Sequence, residues 1–306
     1  MGIFEGILLT IITAATPLLF AALGELVTER SGVLNLGVEG MMAVGAVCGF
    51  AAAHVSGQPA VGILAAAIAG ALMATLFAVV TLIFVANQVA SGLALTLFGL
   101  GLSALIGDAY VGIPGLGLPK LSIPGLSDLP LVGSIIFGED PLTYLAILLA
   151  LGVSWFLFRT RAGLILRAVG DNHTSAHSLG YNVIRVRFMA VVFGGACAGL
   201  GGGYLSLVYT PQWTQNMTGG RGWIALALVV FATWLPARIV IGAVLFGAVS
   251  ILQLHAQAIG VGVPSQFLSM LPYLTTVIVL VIISRDRTLL RVNTPACLGQ
   301  SFVPDR

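Results

Sequence analysis

Long apolar runs fill this chain, and short groups of polar and charged residues separate them. A helix needs about 20 consecutive apolar residues to cross a bilayer. The run near 223–235 is short, and the polar positions from Glu25 to Glu39 indicate a broken or half-crossing helix, so the pattern predicts eight to ten helices. The predicted segments are roughly 3–24, 34–55, 59–84, 88–107, 142–158, 188–209, 223–235, 239–257 and 267–284.

Composition identifies the environment of these helices. Hydrophobic residues make up 58% of the 306 residues and charged residues only 8%, whereas about a quarter of an ordinary soluble domain is charged. The 39 glycines are spread through the apolar runs, where small residues let helices approach closely in lipid. We therefore predict one all-α domain over 1–306, a polytopic transmembrane helical bundle in the lipid bilayer. The net charge of +2 gives no reason to expect a nucleic-acid partner.

The arginines predict which loops are cytoplasmic. Short loops rich in Lys and Arg stay on the cytoplasmic side of a membrane, and the loop at about 159–187 holds five of the thirteen basic residues. The tail at 285–306 adds further arginines, so both regions are predicted to be cytoplasmic. The proline- and glycine-rich loop at about 108–141 then lies outside, where it is a candidate contact for an extracytoplasmic partner.

Common catalytic motifs are absent from the sequence. It contains no GxxxxGK[ST] phosphate-binding loop and neither the HExxH nor the GxSxG motif, which are signatures of many ATPases, zinc proteases and serine hydrolases. Ser91 and His255 both lie in apolar runs, but no sequence feature pairs them. We therefore assign no catalytic residue and no cofactor to this chain.

His173 and His177 are four residues apart and would share one face of a helix. This spacing suits a metal, but metal sites of this kind use three or four strong protein ligands. Two histidines without a third such ligand are more typical of a surface, so we predict no metal site.

The same loop has the pattern of a short capped helix. Asp171 or Asn172 is placed to cap a first turn, and Gly180 is placed to end the helix in a left-handed conformation. A helix of one or two turns at about 173–179 would give a partner protein something to bind. The alternative is a solvated basic connection that only fixes topology, and the local pattern does not decide between them.

Four ordered motifs resemble those of one permease superfamily. From about residue 20 to 284 the chain is similar to permease subunits of bacterial ATP-binding cassette (ABC) importers in the branched-chain amino-acid and ribose permease superfamily. It is most similar to the nucleoside-importing branch, in which a basic-membrane-protein-type lipoprotein delivers the substrate. The motifs are ERSGVLNLGVEGMM, NQVASGLALTLFG, RTRAGLILRAVGDN followed by LGYNV, and TQNMTGGRGWIALALVVF.

This resemblance implies partners that the chain needs for transport. A separate ABC ATP-binding subunit would bind ATP and Mg²⁺ and dock on the cytoplasmic loop. A second permease subunit, either a related longer chain or a second copy, would complete the membrane domain, and an extracytoplasmic lipoprotein would bring substrate. The implied location is the bacterial cytoplasmic membrane. The positions that match the family's coupling pattern are Gly170, Asp171, Asn172, Ala176 and Gly180.

Two similar polar stretches are candidates for the substrate pathway. NLGVEGMMAVGAV and NMTGGRGWIALALVV each place an asparagine before a glycine-rich, charged turn and an apolar helix, as paired broken helices in inverted repeats do. A carboxylate inside a membrane is costly, so Glu39 should face a cavity or a partner. Alternatively, Arg30 and Glu39 only anchor the helix at the membrane surface. The candidate pathway residues are Asn35, Glu39, Asn87, Asn216 and Arg221, of which Asn87 is also placed to cap its helix.

The chemistry of these side chains favours a neutral polar substrate. Asparagine amides donate to and accept from ribose hydroxyls and base edges, so ATP-driven nucleoside import by alternating access is the first hypothesis. ABC import of a sugar fits equally well, and a branched-chain amino acid fits less well. An ion-coupled secondary transporter that uses Glu39 as a proton or sodium site is the alternative from another class. An intramembrane enzyme that uses Ser91 is the third.

Overall fold

The computed structural model describes residues 3–121, 138–260, 262–284 and 293–303. Within these ranges the regular structure is helical, and strand pairing is limited to one isolated bridge between Pro114 and Gln212. Two helices, Pro59–Ala78 and Val183–Tyr204, each continue into a π-helical turn, Val79–Ile83 and Leu205–Tyr209. The helices are α1 Ile3–Arg30, α2 Val38–Ser56, α3 Pro59–Ala78, α4 Gln88–Gly107, α5 Pro141–Arg159, α6 Arg161–Asp171, α7 His173–Ser178, α8 Val183–Tyr204, α9 Arg221–Phe231, α10 Pro236–Ala258, α11 Ser265–Ser269 and α12 Leu271–Ser284.

The all-α bundle is confirmed, but the expected count of eight to ten membrane-crossing helices is not. Among the described residues seven helices are long and apolar enough to cross a membrane: α1, α2, α3, α4, α5, α8 and α10. Helix α9 is apolar but has 11 residues, which is below the usual length of a crossing helix. The described part of α12 has 14 residues and ends at Ser284, the last described residue before 293. The count is lower because these two predicted crossings do not reach that length within the described residues.

The largest difference from the predicted boundaries is at the end of α1. This helix continues beyond residue 24 to Arg30 and includes Glu25 and Glu29, which are both 1% exposed. The polarity of these two residues predicted that the membrane segment ends before them. In the structure, tertiary partners bind both side chains inside the bundle. The chain then turns at Gly32, with φ of 90°, and residues 33–35 are non-helical before α2 begins at Val38.

Glycines bring α2, α3 and α8 into backbone contact at the centre of the bundle. A Cβ atom added at Gly199 of α8 would collide with Ala66 O of α3, and one added at Gly45 of α2 would lie 2.5 Å from Gly199 Cα. A Cβ atom at Gly70 of α3 would likewise collide with Gly195 O. Such contacts let helices pack tightly where lipid supplies no hydrophobic drive for association.

Helices α2 and α9 begin close together, because Glu39 in the first turn of α2 accepts hydrogen bonds from backbone groups at the start of α9. The far end of α2 packs around Phe50, whose ring lies against Tyr110 and close to Trp213. The chain after α9 leads to Trp234, which binds the end of α1. The two helices thus lead from neighbouring starts to different parts of the chain, and inverted repeats with broken helices stay a prediction.

Parts of the predicted loop at about 108–141 and of the predicted tail at 285–306 lie outside the described residues, namely 122–137, 285–292 and 304–306. The described part of the first loop packs against the segment after α8, where Gly115 N donates to Pro211 O and Leu118 N donates to Leu207 O. The described tail, 293–303, folds back onto α6, α7 and the end of α1.

Candidate functional site

Glu39 joins the starts of α2 and α9. It lies in the first turn of α2 and is 3% exposed. Its Oε1 accepts from Gly220 N at 2.9 Å and its Oε2 accepts from Gly222 N at 2.6 Å. The positive ends of two helix dipoles therefore meet at this carboxylate, and both favour its negative charge. These two backbone donors therefore explain how the bundle accommodates the buried Glu39 carboxylate without an arginine partner.

Gly220 and Gly222 make this contact possible. A Cβ atom at Gly222 would lie 2.5 Å from Glu39 Cα, and Gly220 has φ of 81°, a conformation that residues with a side chain rarely adopt. The glycine-rich turn before α9 thus lets the backbone reach Glu39 directly.

Asn35 shapes the turn that precedes α2. Its side chain is fully buried, its Oδ1 accepts from Gly37 N at 2.9 Å and its Nδ2 lies 3.6 Å from Met41 Sδ. The amide is therefore engaged within its own segment, and contact of Asn35 with substrate stays a prediction.

Asn216 lies in the non-helical segment 210–220 before α9, and Arg221 is the first residue of α9. Asn216 is exposed, with φ of 58°. The Arg221 guanidinium donates to Met217 O and Thr218 O and lies 5.1 Å from the centre of the Tyr209 ring. A small polar pocket lies beside this segment, between α2 and α4, and Ser103, Trp213, Thr214, Gln215, Asn216 and Thr218 are among the residues that line it.

Asn87 caps α4, as its position predicted. Its Oδ1 accepts from Ala90 N at 3.0 Å. The next residue, Gln88, is buried and its Oε1 accepts from Leu34 N at 2.8 Å. The start of α4 thus holds the segment before α2 in place. In sequence, Asn87 is far from the turn that carries Asn216.

A buried polar cluster at the end of α1 was missed by the sequence-based reasoning. Glu29 Oε2 accepts from Trp234 Nε1 at 2.6 Å, and Arg30 donates through Nε and Nη2 to Trp234 O. Glu25 Oε1 accepts from Asn35 N at 3.2 Å. The i,i+4 spacing of Glu25 and Glu29 on one helix face was the available signal. Arg30 therefore binds the chain between α9 and α10, and Glu39 binds the start of α9.

The short helix predicted in the loop at about 159–187 is confirmed. Helix α7 is His173–Ser178, Asn172 Oδ1 accepts from Ser175 N at 2.9 Å, and Gly180 has φ of 89°. Ala176 is buried against Val169 and Val183. The loop therefore holds an ordered helix, most of whose residues are exposed, and binding of a partner to it stays a prediction.

Gly170 brings the end of α6 against the end of α1. A Cβ atom added at Gly170 would collide with Arg30 O. Asp171 is exposed beside it. The loop that holds α7 is therefore in direct backbone contact with the ERSGVLNLGVEGMM motif, which begins at Glu29.

His173 and His177 both pack against Phe302 of the tail, with ring centres 5.2 and 5.3 Å apart. Burial and the nearby Arg187 guanidinium lower the pKa of His173 below its usual value, so its imidazole is neutral near pH 7. Among the described residues no group of three or more His, Cys, Asp or Glu side chains is placed to hold a metal ion.

Ser91 and His255 do not form a catalytic pair in the described structure. Ser91 is half-buried and lines an open apolar groove with Leu76 and Phe98, while His255 is exposed near the end of α10. No hydrogen bond that the structure describes joins them.

Comparison with known proteins places this architecture in a family. The model of the family described as the branched-chain amino acid transport system permease component matches residues 7–283. The chain belongs to this family. No solved structure matches the permease.

Relatives that align with most of the permease are also ABC transporter permeases. TsgC13 of Haloferax volcanii, named for glucose, is 40% identical over 99% of this chain and 98% of its own length. NupQ of Bacillus subtilis, named for guanosine, is 36% identical, and NupC of Lactococcus lactis, named for nucleosides, is 34% identical. Each of the last two alignments covers 87% of this chain and 88% of the relative.

The family and the apolar helices together make this chain a multi-pass permease subunit of the plasma membrane. Permease subunits of ABC importers work with an ATP-binding subunit and a substrate-binding protein. The permease is thus the membrane component of a transporter.

Proposed function

We propose that this permease imports nucleosides by alternating access, driven by ATP that separate ABC ATP-binding subunits hydrolyse with Mg²⁺. The observation that carries the proposal is that two relatives aligned over most of both chains are named for guanosine and for nucleosides. The neutral amide and hydroxyl groups around the segment 210–220 are compatible with ribose and a base.

A sugar is the second candidate substrate. The relative named for glucose is 40% identical and aligns over nearly the whole chain. Hydroxyl groups of a sugar would use the same hydrogen-bonding side chains as a ribose.

We place the pathway along the segment 210–220 before α9, beside Asn216 and Arg221. These side chains are exposed or half-exposed, whereas Asn35 and Glu39 are buried and engaged with backbone groups. Asn35 and Glu39 would then hold the backbone next to the pathway in place instead of lining the pathway. Asn87 would border it at the start of α4.

The surface around α7 is the proposed dock for the ATP-binding subunit. Leu179 is 77% exposed at the end of this helix, and the following Tyr181 is exposed as well. Large apolar side chains at the end of a capped cytoplasmic helix are suited to contact with a partner. The angle of the helix would be fixed by Asp171, Asn172 and Gly180. Close packing of the helix against the rest of the protein would depend on Gly170 and Ala176.

Uptake by proteoliposomes tests both the substrate and the energy source. The vesicles contain this permease, its second permease subunit and the ATP-binding subunit, with the lipoprotein added outside and ATP inside. We expect vanadate-sensitive uptake of labelled guanosine that excess glucose does not reduce. Uptake of glucose in place of guanosine would favour the sugar alternative, and uptake abolished by an uncoupler alone would favour the secondary transporter.

Two glycine substitutions test the docking surface. Gly180 and Gly260 both have positive φ and open space around them, so Gly180→Val and Gly260→Val carry a similar backbone strain. We expect Gly180→Val to abolish ATP-driven uptake and Gly260→Val to retain it. Equal loss in both variants would contradict a specific role for α7.

A further inference from the structure

Arg187 is a fully buried arginine near the start of α8. Neither the sequence motifs nor the proposed pathway uses it. No carboxylate in the described structure accepts a hydrogen bond from its guanidinium, which is an unusual state for a buried charge. Its partners are backbone carbonyls and one imidazole.

The guanidinium of Arg187 joins three other parts of the chain. Nε donates to Ser31 O at 3.1 Å, in the turn between α1 and α2. Nη1 donates to Gln300 O at 2.8 Å, in the tail. Nη2 lies 3.2 Å from Nδ1 of His173, the first residue of α7.

The tail completes the connection through its own backbone. Cys297 N donates to Gly170 O at 2.9 Å and Gly299 N donates to Gly32 O at 3.1 Å. Phe302 packs edge-on against the rings of His173 and His177. The tail therefore bonds both to the loop that carries α7 and to the end of α1.

We propose that Arg187 is a positioning residue that, with the tail at 293–303, links α7 to the α1–α2 turn, so that a displacement of α7 moves that turn. The proposal rests on the proposed function, because it assigns the route by which movement at the docked helix reaches the start of α2. Glu39, at that start, in turn holds α9.

The guanidinium has the shape that such a link needs. It is planar, always charged, and donates in several fixed directions at once, whereas a lysine ammonium is a single point charge on a flexible stem. A lysine at this position would keep the charge and lose simultaneous contact with Ser31 O, Gln300 O and His173 Nδ1. The link would be broken without a large change in volume.

A pair of conservative variants tests the proposal in the assembled transporter. Arg187→Lys is compared with Arg185→Lys, because Arg185 is exposed on the same turn of α8. For each purified complex we measure co-purification of the ATP-binding subunit, ATPase rate and nucleoside uptake per ATP hydrolysed. We expect Arg187→Lys to retain assembly and ATPase activity and to lose most of the uptake per ATP, while Arg185→Lys matches the wild type.

Cys297 reports directly on whether the tail is docked. It is half-buried, and its Sγ lies 3.4 Å from Asp171 O. Loss of one or two hydrogen bonds to a charged group costs about 1.5 to 3 kcal/mol, which corresponds to an increase of about tenfold or more in the undocked state. We expect maleimide labelling of Cys297, assigned by peptide mass, to accelerate by about that factor in Arg187→Lys and not in Arg185→Lys.

These measurements separate failure of the link from failure of the proposed function. If the wild type shows no ATP-driven uptake, the proposed function fails, while the Cys297 labelling still reports on the tail. Unchanged labelling and unchanged uptake per ATP in Arg187→Lys would overturn the link. Loss of the ATP-binding subunit from Arg187→Lys would also overturn it, because Arg187 would then act in docking itself.

Discussion

At the scale of single residues, Glu39 shows how a carboxylate is accommodated inside an apolar bundle. It accepts from two backbone N–H groups at the start of α9 and lies in the first turn of α2. Such charge-assisted hydrogen bonds are stronger than neutral ones. The same geometry explains Gly222, where an added Cβ atom would lie 2.5 Å from Glu39 Cα, and Gly220, whose φ of 81° favours glycine.

Removal of this carboxylate should destabilise the protein. Glu39→Ala leaves two buried N–H groups without an acceptor, at a cost of about 3 kcal/mol. Glu39→Gln keeps one acceptor oxygen, so its cost should be about half. We expect the midpoint of thermal denaturation in detergent to be highest for the wild type, lower for Glu39→Gln and lowest for Glu39→Ala. Asp108→Asn, at an exposed carboxylate, is the control and should leave the midpoint unchanged.

A second residue-scale prediction concerns Glu139, which precedes α5 and is 2% exposed. Burial raises its pKa to about 7, Lys120 lowers it in part, and Asp140 raises it further. Because the folded-state pKa lies above the unfolded value of 4.5, the folded protein binds more protons between these two pH values. The contribution of Glu139 to stability is therefore present below pH 4.5 and is lost as the pH rises through about 7.

Glu139→Gln should remove this pH dependence. Denaturation midpoints of the wild type and the variant are compared from pH 4.5 to 8. We expect the denaturation midpoint of the variant to rise relative to that of the wild type as the pH rises, because the amide of the variant cannot ionise. A constant difference across the range would show that the Glu139 carboxyl titrates near its ordinary pKa.

At the scale of elements, the glycine contacts of α8 determine how the central helices pack. Gly199→Ala places a methyl group against the backbone carbonyl of Ala66, which cannot rotate away. Overpacking of this kind costs about 1 to 3 kcal/mol. Gly101→Ala is the matched control, because nothing lies within 4 Å of its added Cβ. We expect size-exclusion chromatography after heating to show a lower midpoint for Gly199→Ala alone.

The cap of α7 is a separate element-scale test. Asn172→Ala removes the acceptor for Ser175 N, and loss of an N-cap costs about 1 kcal/mol, or about fivefold in local opening. Hydrogen exchange of the amides at 174–178 should accelerate by about that factor. Asn87→Ala removes the equivalent cap of α4 and should leave exchange at 174–178 unchanged. Unaltered exchange in Asn172→Ala would mean that packing alone holds α7.

At the scale of the whole molecule, the arginine distribution and the tail contacts together predict orientation in the membrane. The tail lies against the loop that carries α7, so both should face the cytoplasm, and Ser56 at the far end of α2 should face outside. An impermeant maleimide should label Cys297 only in inside-out vesicles. A Ser56→Cys variant should be labelled in right-side-out vesicles, and the opposite pattern would reverse the predicted topology.

The apolar and polar pattern by itself determined the class of fold, most helix positions and the short capped helix α7. These features depend on local physics, namely the length of apolar runs, the side chain of Asn172 as a cap and the left-handed conformation open to Gly180. Such signals lie within a few residues of one another, so a single sequence contains them.

Tertiary structure alone decided where the polar residues of the bundle find partners. Glu25 and Glu29 were expected after the end of a helix, because a carboxylate is costly in a membrane unless something binds it. The Trp234 indole and the Asn35 backbone that bind them are distant in sequence or beyond a turn. The partners of Glu39 lie more than 180 residues away, and those of Arg187 lie in the α1–α2 turn, the tail and α7. Pairings over such separations depend on how the helices pack, and local sequence patterns do not contain that information.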